Sequence, residues 1–218
     1  MMNPVNDIEE DPHNPDVLYL ATDYGVFVTV DNGKNWVEMS SSAPDVLILG
    51  LAIQERERDL AIGTYGRGFY IADIYPLKEL KADVFEKDAL LFDIQRVIKW
   101  RMLERRGQQY GEFARTTNPP NGAKIYYYLK DTVDKVDIVI QDLEGNEIQK
   151  LKGSGSKGLR QISWNLRKSA PQSQAGQRRA RSGGEVDSGV YKIVFIVDGE
   201  ETQTKRLEIL DDPILNIN

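Results

Sequence analysis

The sequence predicts an all-β protein: a partial β-propeller of about two blades over residues 1–79, followed by a β-sandwich over residues 119–213. Two observations support this prediction. A segment in the first third of the chain recurs after 42 residues, within the roughly 40–45 residues of a four-stranded propeller blade. Beyond residue 122, about seven short β-type segments alternate with turn signals, which is typical of sandwich domains.

The repeat aligns LYLATDYGVF (Leu18–Phe27) with LAIGTYGRGF (Leu60–Phe69) without a gap. Both copies are short, apolar and bounded by Asp or Gly, which indicates a strand and its hairpin partner. A further buried strand is predicted over residues 46–53. The same offset places Asp73 at the position of Asp31, although the second copy lacks the Gly and Trp that follow in the first.

The stretch TVDNGKNW contains a candidate structural turn formed by Thr29, Asp31, Gly33 and Trp36. Gly33 accepts a positive φ without steric cost, and the Asp31 carboxylate can accept hydrogen bonds from backbone N–H groups of its own turn. The Thr29 hydroxyl can tie the turn to the strand, and the Trp36 ring can cover the hairpin. We therefore expect Asp31 to be structural and not a catalytic acid.

This Thr-x-Asp-x-Gly-x-x-Trp pattern resembles the Asp box of BNR-repeat propellers, which include sialidases, sortilin-type receptors and several glycoside hydrolases. EDPHNPDVLYLATDYGVFVTVDNGKNW resembles one such repeat, and ERDLAIGTYGRGFYIADI resembles the terminal blade of large bacterial sortilin-like or glycosyl hydrolase BNR-repeat proteins. The chain thus resembles the C-terminal part of that family over nearly its whole length. The resemblance implies that an Ig-like sandwich follows the propeller and that the parent protein is exported, either periplasmic or extracellular.

Residues 80–118 are predicted as a transition segment, with a short apolar strand at 89–94, an alternating stretch at 97–102 and a loose stretch at 104–118. The sandwich lacks a cysteine pair, which favours an Ig-like or fibronectin-III-like domain over an antibody-type domain. A polar, locally basic segment at 167–188 is predicted as a flexible loop. Sandwich strands are predicted at 124–129, 136–141, 158–166, 190–197 and 202–210, with a hairpin signal at 143–148 after the second of them.

Composition excludes several classes of function. The chain is 40% hydrophobic with a formal net charge of −6, which argues against general binding to nucleic acid or acidic membranes. It has no run of about 18 apolar residues that could span a bilayer, and its acidic N-terminus does not read as a signal peptide. With no cysteine and the single histidine His13, it cannot build a thiolate or multi-histidine metal site, so we expect no metal and no cofactor.

Four carboxylates near the first repeat could supply one half of a glycosidase pair: Glu9, Glu10, Asp11 and Asp23. Such a pair requires two carboxyls facing each other across a sugar, about 5–9 Å apart. In a propeller the two usually come from different blades, so a complete site is not expected here and a solvated acidic loop is favoured. His13, between two prolines, is expected to be an exposed turn residue.

The turn Tyr65-Gly66-Arg67-Gly68 is a candidate ligand-facing element that could present Arg67 to an anionic ligand, and Tyr65 and Asp23 are further candidate ligand-facing residues. A tight turn that simply needs two glycines is the alternative.

Three arginines at 178, 179 and 181 are expected to be solvated in the flexible loop, not bound to nucleic acid.

These features together predict a non-catalytic structural and interaction module at the C-terminal end of a BNR-repeat, sortilin-like protein, binding protein or glycan. Two blades leave strand edges and apolar faces exposed, and these must be covered by upstream blades, another chain or self-association. One alternative is a sialidase- or xyloglucanase-like glycoside hydrolase with its carboxylates in missing upstream blades. Another is a subunit of a larger assembly in which a second polypeptide completes the propeller.

Overall fold

The computed structural model describes residues 4–39, 46–100, 122–169 and 183–213, apart from the side chains of residues 82 and 83. The chain is all-β, because this described part contains fifteen strands and only two short 3-10 segments. It forms two compact units, Met1–Lys87 and Asp88–Asn218. No helix among the described residues is long and apolar enough to cross a membrane.

The first unit contains two antiparallel sheets, each a meander in chain order. The first sheet, of four strands, consists of β1 (Val5–Glu10), β2 (Leu18–Thr22), β3 (Gly25–Thr29) and β4 (Val37–Glu38). The second sheet, of three strands, consists of β5 (Ile48–Gln54), β6 (Asp59–Thr64) and β7 (Phe69–Asp73). The 3-10 segments Tyr75–Glu79 and Ala82–Glu86 follow β7.

The two sheets repeat each other more fully than the sequence indicates. The pairing register of β1 with β2 shifts between Val5 and Asp7, and that of β5 with β6 shifts between Ile48 and Gly50. A bulge therefore lies at the same place in the first strand of both sheets. The sequence does not reveal this correspondence, because β1 is mostly polar (VNDIEE) whereas β5 is apolar (ILGLAIQ).

The hairpin turns of the two sheets share one hydrogen bond. Thr22 Oγ1 donates to the Gly25 carbonyl at 3.0 Å, and Thr64 Oγ1 donates to the Gly68 carbonyl at 2.7 Å. Gly25 therefore corresponds to Gly68, and the second turn contains one residue more than the first. Positive φ at Gly66 and Gly68 accommodates the longer turn (φ 74° and 76°).

The ungapped alignment of the two copies is therefore wrong beyond this turn. Phe69 corresponds to Val26 and not to Phe27, because the spacing between β3 and β7 is 43 residues. By the same spacing, Ile74 takes the position of Asp31, and Asp73 does not.

The first and second sheets share one hydrophobic core. The sides of the sheets that contribute to it are called their inner faces here, and the opposite sides their outer faces. Alternation of side chains along each strand separates the two faces. The fully enclosed core consists of Val17, Tyr19, Ala21, Val26, Ile48, Leu51, Leu60, Ile62 and Ile74.

The second unit also contains two sheets. One has the strand order β13–β10–β8 and the other β12–β11–β14–β15–β9; only the β15–β9 pair is parallel. The strands are β8 (Ala89–Leu91), β9 (Val97–Lys99), β10 (Ala123–Leu129), β11 (Val136–Gln141), β12 (Glu147–Gly153), β13 (Gly158–Trp164), β14 (Gly189–Val197) and β15 (Glu200–Asp211).

Both sheets of the second unit contribute to its core. The rings of Tyr127 on β10 and Phe195 on β14 lie 5.3 Å apart between centroids, so the two sheets meet through these side chains. Trp164 is almost fully buried, and its Nε1 donates to the Arg167 carbonyl at 2.9 Å. This bond satisfies the one polar group of a large apolar side chain.

The segment predicted as a transition, 80–118, is divided between the two units. Its first residues complete the 3-10 segments of the first unit, whereas β8 pairs with β10 in the second unit. The ends of the predicted flexible loop 167–188 are ordered: Arg167 pairs with Glu185, and the Val186 N–H donates to the Leu166 carbonyl at 2.8 Å. Residues 104–118, and the arginines at 178, 179 and 181, lie outside the described residues.

Candidate functional site

The four predicted turn residues come together at the end of β3. Thr29 is almost fully buried, and its Oγ1 donates to Asp31 Oδ1 at 2.7 Å. The same oxygen accepts the Gly33 N–H at 3.0 Å and the Asp31 N–H at 3.3 Å. One hydroxyl thus connects the strand end with both following positions of the turn.

Asn35 completes the set of partners of the Asp31 carboxylate. Its N–H donates to Oδ1 at 2.9 Å and its side-chain amide donates to Oδ2 at 2.6 Å. These bonds, with that from Thr29, lower the pKa of Asp31 to about 2. The carboxylate stays ionised near neutral pH, so it cannot supply a proton to a leaving group. Sequence reasoning missed Asn35, although it stands at the i+4 position.

Trp36 closes the turn. Its Nε1 donates to the Gly33 carbonyl at 3.1 Å, and a Cβ built at Gly33 would lie 3.8 Å from its ring. Asn32 and Gly33 both have positive φ, at 56° and 83°. The Asn32 N–H also donates to the Asp16 carbonyl at 2.9 Å, which ties the turn to the loop before β2.

The sequence favoured a solvated acidic loop for Asp11, with a glycosidase pair as the alternative. The prediction of a solvated position is wrong, because the residue is buried. Only 1% of the residue is exposed, and its Oδ2 accepts a hydrogen bond from Arg58 Nη2 at 2.5 Å. Its Oδ1 accepts the N–H groups of His13 and Asn14 at 2.9 and 3.2 Å. Asp11 therefore lies in a closed turn, where its charge is matched by an arginine that is distant in sequence.

The surroundings of this ion pair are also buried. Tyr19 OH donates to Asp11 Oδ2 at 3.4 Å, and burial together with the Asp11 charge raises the pKa of Tyr19. Asn14 donates from its side chain to the carbonyls of Lys78 and Leu80, at 3.1 and 3.0 Å. The loop before β2 is thus attached to the chain that leaves the second sheet.

Arg58 adopts φ 61°, and its N–H donates to the Gln54 carbonyl at 2.9 Å in the turn between β5 and β6. Its Nε and Nη1 are buried and have no hydrogen-bond partner. Sequence reasoning missed this residue, because the segment QERERD gives no sign of which charge turns inward.

The remaining candidate carboxylates are Glu9, Glu10 and Asp23. Glu9 is half-buried and Glu10 exposed on β1. Asp23 accepts a hydrogen bond from Asn6 Nδ2 at 2.9 Å, and this amide also donates to the Ile48 carbonyl at 2.9 Å. Within the described ranges, no group of three or more His, Asp or Glu side chains is placed to hold a metal ion.

The turn of Tyr65 and Arg67 projects into solvent. Tyr65 is 70% exposed, Arg67 is exposed, and no atom lies within 4 Å of a Cβ built at Gly66 or Gly68. The backbone beneath is fixed, because the Tyr65 N–H donates to the Leu47 carbonyl at 2.9 Å. Asp23 lies in the corresponding turn of the first sheet. His13 is exposed at its own turn, where the sequence placed it.

The outer face of the second sheet is apolar and exposed. Phe69 is 85% exposed and Ile71 is 61% exposed on β7. Their neighbours across the strand pair are Gly63 and Ala61 on β6. A bare apolar sheet face is unusual for an isolated unit.

No family model matches the chain, and no curated protein matches it. Two solved structures similar to it are extracellular domains from B. thetaiotaomicron, one described as a hybrid two-component system and the other as a one-component system. Each is 13% identical to this chain and covers 96% of it, with TM-scores of 0.29 and 0.27. The chain spans about a quarter of their length (26% and 25%), and this likeness indicates neither a family nor a function.

Proposed function

We propose that the chain is a non-catalytic interaction module that binds protein or glycan. In this proposal, the first unit consists of two Asp-box-type propeller blades and the second is an Ig-like or fibronectin-III-like sandwich. The resemblance of the sequence to BNR-repeat proteins supports the architecture and an exported parent. The chain would be the C-terminal end of such a protein.

The main support for a non-catalytic role is the set of hydrogen bonds that Asp31 accepts within its own turn. Both of its oxygens are engaged within the turn, by Thr29 and Asn35. Among the candidate carboxylates of the first unit, Asp11 is buried against Arg58. Neither carboxylate is free to act as acid, base or nucleophile on a substrate. A glycosidase pair requires two free carboxyl groups.

The turn of Tyr65 and Arg67 is the proposed ligand-facing element. An exposed aromatic ring can stack on a sugar face, and a guanidinium can form paired hydrogen bonds with a carboxylate or sulfate. Because hydrogen bonds fix the backbone of this turn, little ordering would be required on binding. We therefore expect a preference for acidic over neutral glycans.

Isothermal titration of the full chain with polygalacturonate, heparin fragments and xyloglucan tests this function. Binding to an acidic glycan should weaken by at least about tenfold in Tyr65→Ala and Arg67→Ala. Arg56→Ala is the matched control, because this arginine is also exposed and forms an ion pair with its sequence neighbour Glu57. Equal affinity in all variants would contradict the assignment of the turn, and hydrolysis of aryl glycosides would contradict the non-catalytic role.

A further inference from the structure

The two sheets of the first unit are repeats of each other, so each inner face that forms their contact has a counterpart on the outer face of the other sheet. Tyr19 and Ala21 on the inner face of the first sheet are fully buried. Their counterparts in the second sheet, 42 residues later, are Ala61 and Gly63. These counterparts lie on the outer face of the second sheet and are partly exposed.

The next strand of each sheet shows the same relationship with larger side chains. Val26 is 1% exposed on the inner face of the first sheet, and its counterpart Phe69 is 85% exposed. Val28 packs against the core, whereas its counterpart Ile71 is 61% exposed. We call the surface of Ala61, Gly63, Phe69 and Ile71 the open face.

The reverse holds for the opposite sides of the sheets. Leu51 is 6% exposed on the inner face of the second sheet, and its counterpart on β1, Ile8, is 53% exposed. Ile8 pairs with Leu20, which pairs with Phe27, so these three side chains share the outer face of the first sheet. The two outer faces of the first unit thus carry counterparts of both sides of its internal contact. Phe69 and Ile71 are exposed on one of them and Ile8 on the other.

From this arrangement we infer that copies of this 218-residue chain associate head to tail. The contact uses the faces that neighbouring blades would cover in the longer protein of the proposed function. The open face of one copy takes the outer face of the first sheet of the next, around Ile8 and Leu20. This contact between copies would use counterparts of the residues that form the contact between the two sheets. We therefore expect it to have a similar shape and a similar apolar character. Such a contact joins two different surfaces, and it closes into a ring if the rotation between copies allows.

Apolar burial would hold this contact with little help from hydrogen bonds. Within the unit, Asp7 Oδ2 accepts the Leu51 N–H at 2.8 Å and Asn6 donates to the Ile48 carbonyl at 2.9 Å. The counterparts of Asn6 and Asp7 are Leu49 and Gly50, which have no polar side chain. The association should therefore depend on concentration and be weaker than the internal contact.

Light scattering of the full chain over a range of concentrations tests the inference. We expect the wild-type chain to form a discrete oligomer. Ile71→Asp and Ile8→Asp should each weaken association by at least about 100-fold, because each places an unpaired carboxylate in an apolar contact. Leu143→Asp is the matched control: Leu143 is 56% exposed in the second unit, and this variant should associate like wild type.

Mixing the two variants gives the sharper result. Ile71→Asp keeps an intact outer face on its first sheet, and Ile8→Asp keeps an intact open face. An equimolar mixture should form a dimer with one chain of each and nothing larger. A wild-type chain that stays monomeric, an oligomer indifferent to both substitutions, or a mixture that stays monomeric would each overturn the inference. The turn of Tyr65 and Arg67 is unchanged in these variants, so failure here is distinguishable from failure of the proposed ligand binding.

Discussion

Asp11 and Arg58 stand 47 residues apart, yet they form an ion pair with 2.5 Å between Oδ2 and Nη2. Their side chains are 0% and 4% exposed. The pair joins the turn before β2 in the first sheet to the turn between β5 and β6 in the second. It therefore connects the two sheets through their turns, outside the strands.

Loss of the arginine from this pair should strongly destabilise the first unit. Arg58→Met leaves the Asp11 carboxylate buried without a counter-charge, which costs about 3–5 kcal/mol in comparable cases. Urea unfolding followed by hydrogen exchange of peptides from residues 1–87 measures the effect within that unit. Arg56→Met, at an arginine whose side chain is 73% exposed, should change stability by less than about 0.5 kcal/mol.

A double variant separates the ion pair from simple packing. Asp11→Asn combined with Arg58→Met removes both charges, so its cost should be clearly smaller than the sum of the two single substitutions. Additive costs would show that the two side chains act independently and would contradict the coupling inferred from their contact.

The Asp31 turn predicts a particular dependence of stability on pH. Hydrogen bonds to the ionised form lower the pKa of Asp31 from 3.8 to about 2. A lowered pKa in the folded state stabilises the protein above the unfolded pKa, and this contribution is lost as the pH falls through the folded pKa. The stability advantage of wild type over Asp31→Asn should therefore be present at pH 6 and disappear between pH 3.8 and about 2.

Urea unfolding of both proteins at pH 6, 4 and 2 measures this difference. Because Asp31→Asn changes a single titrating group, the difference between the curves isolates its contribution. A difference that stays constant from pH 6 to pH 2 would show that the carboxylate charge contributes nothing to folding.

How far the sequence predicts this molecule depends on how local each interaction is. The Asp31 turn lies within eight consecutive residues, so residue types and spacing indicate the roles of Thr29, Gly33 and Trp36, although not that of Asn35. Strand β14 combines apolar residues with clear turn signals, and its prediction at 190–197 lies within one residue of the observed Gly189–Val197. Local chemistry and periodicity suffice for such elements.

Other features depend on partners that are distant in sequence. Arg58 is one of several charges in QERERD, and only the fold shows that it meets Asp11. Strand β1 is polar and becomes a strand through pairing with β2. The extra residue in the β6–β7 turn shifts the repeat without changing its composition, so an ungapped alignment passes over it.

Two turns with the same hydrogen bonds predict which asparagine lowers the pKa of which aspartate. Asn146 donates its N–H and its side-chain amide to Asp142, both at 2.8 Å, and these bonds lower the pKa of Asp142. The same i to i+4 arrangement links Asn35 to Asp31. Asn35→Ala should raise the pKa of Asp31 and leave that of Asp142 unchanged, and Asn146→Ala should do the reverse. Carboxyl titrations by NMR measure both groups in one sample, and a shift at both sites in either variant would contradict the local origin.

Gly155 marks a close backbone approach in the second unit. The Val133 N–H donates to the Gly155 carbonyl at 2.8 Å, and a Cβ at Gly155 would lie 2.2 Å from the Val133 carbonyl oxygen. Backbone must move to admit a methyl group there, so Gly155→Ala should destabilise the second unit by about 1–3 kcal/mol.

Gly184→Ala is the matched control in the same unit, because no atom of the described residues lies within 4 Å of its added Cβ. Its effect on stability should stay within about 0.5 kcal/mol. Thermal unfolding, with hydrogen exchange of peptides from residues 122–169, compares the two variants. If Gly155→Ala were as stable as wild type, the chain around Val133 would have to yield without cost, and the close approach would not limit the choice of residue at this position.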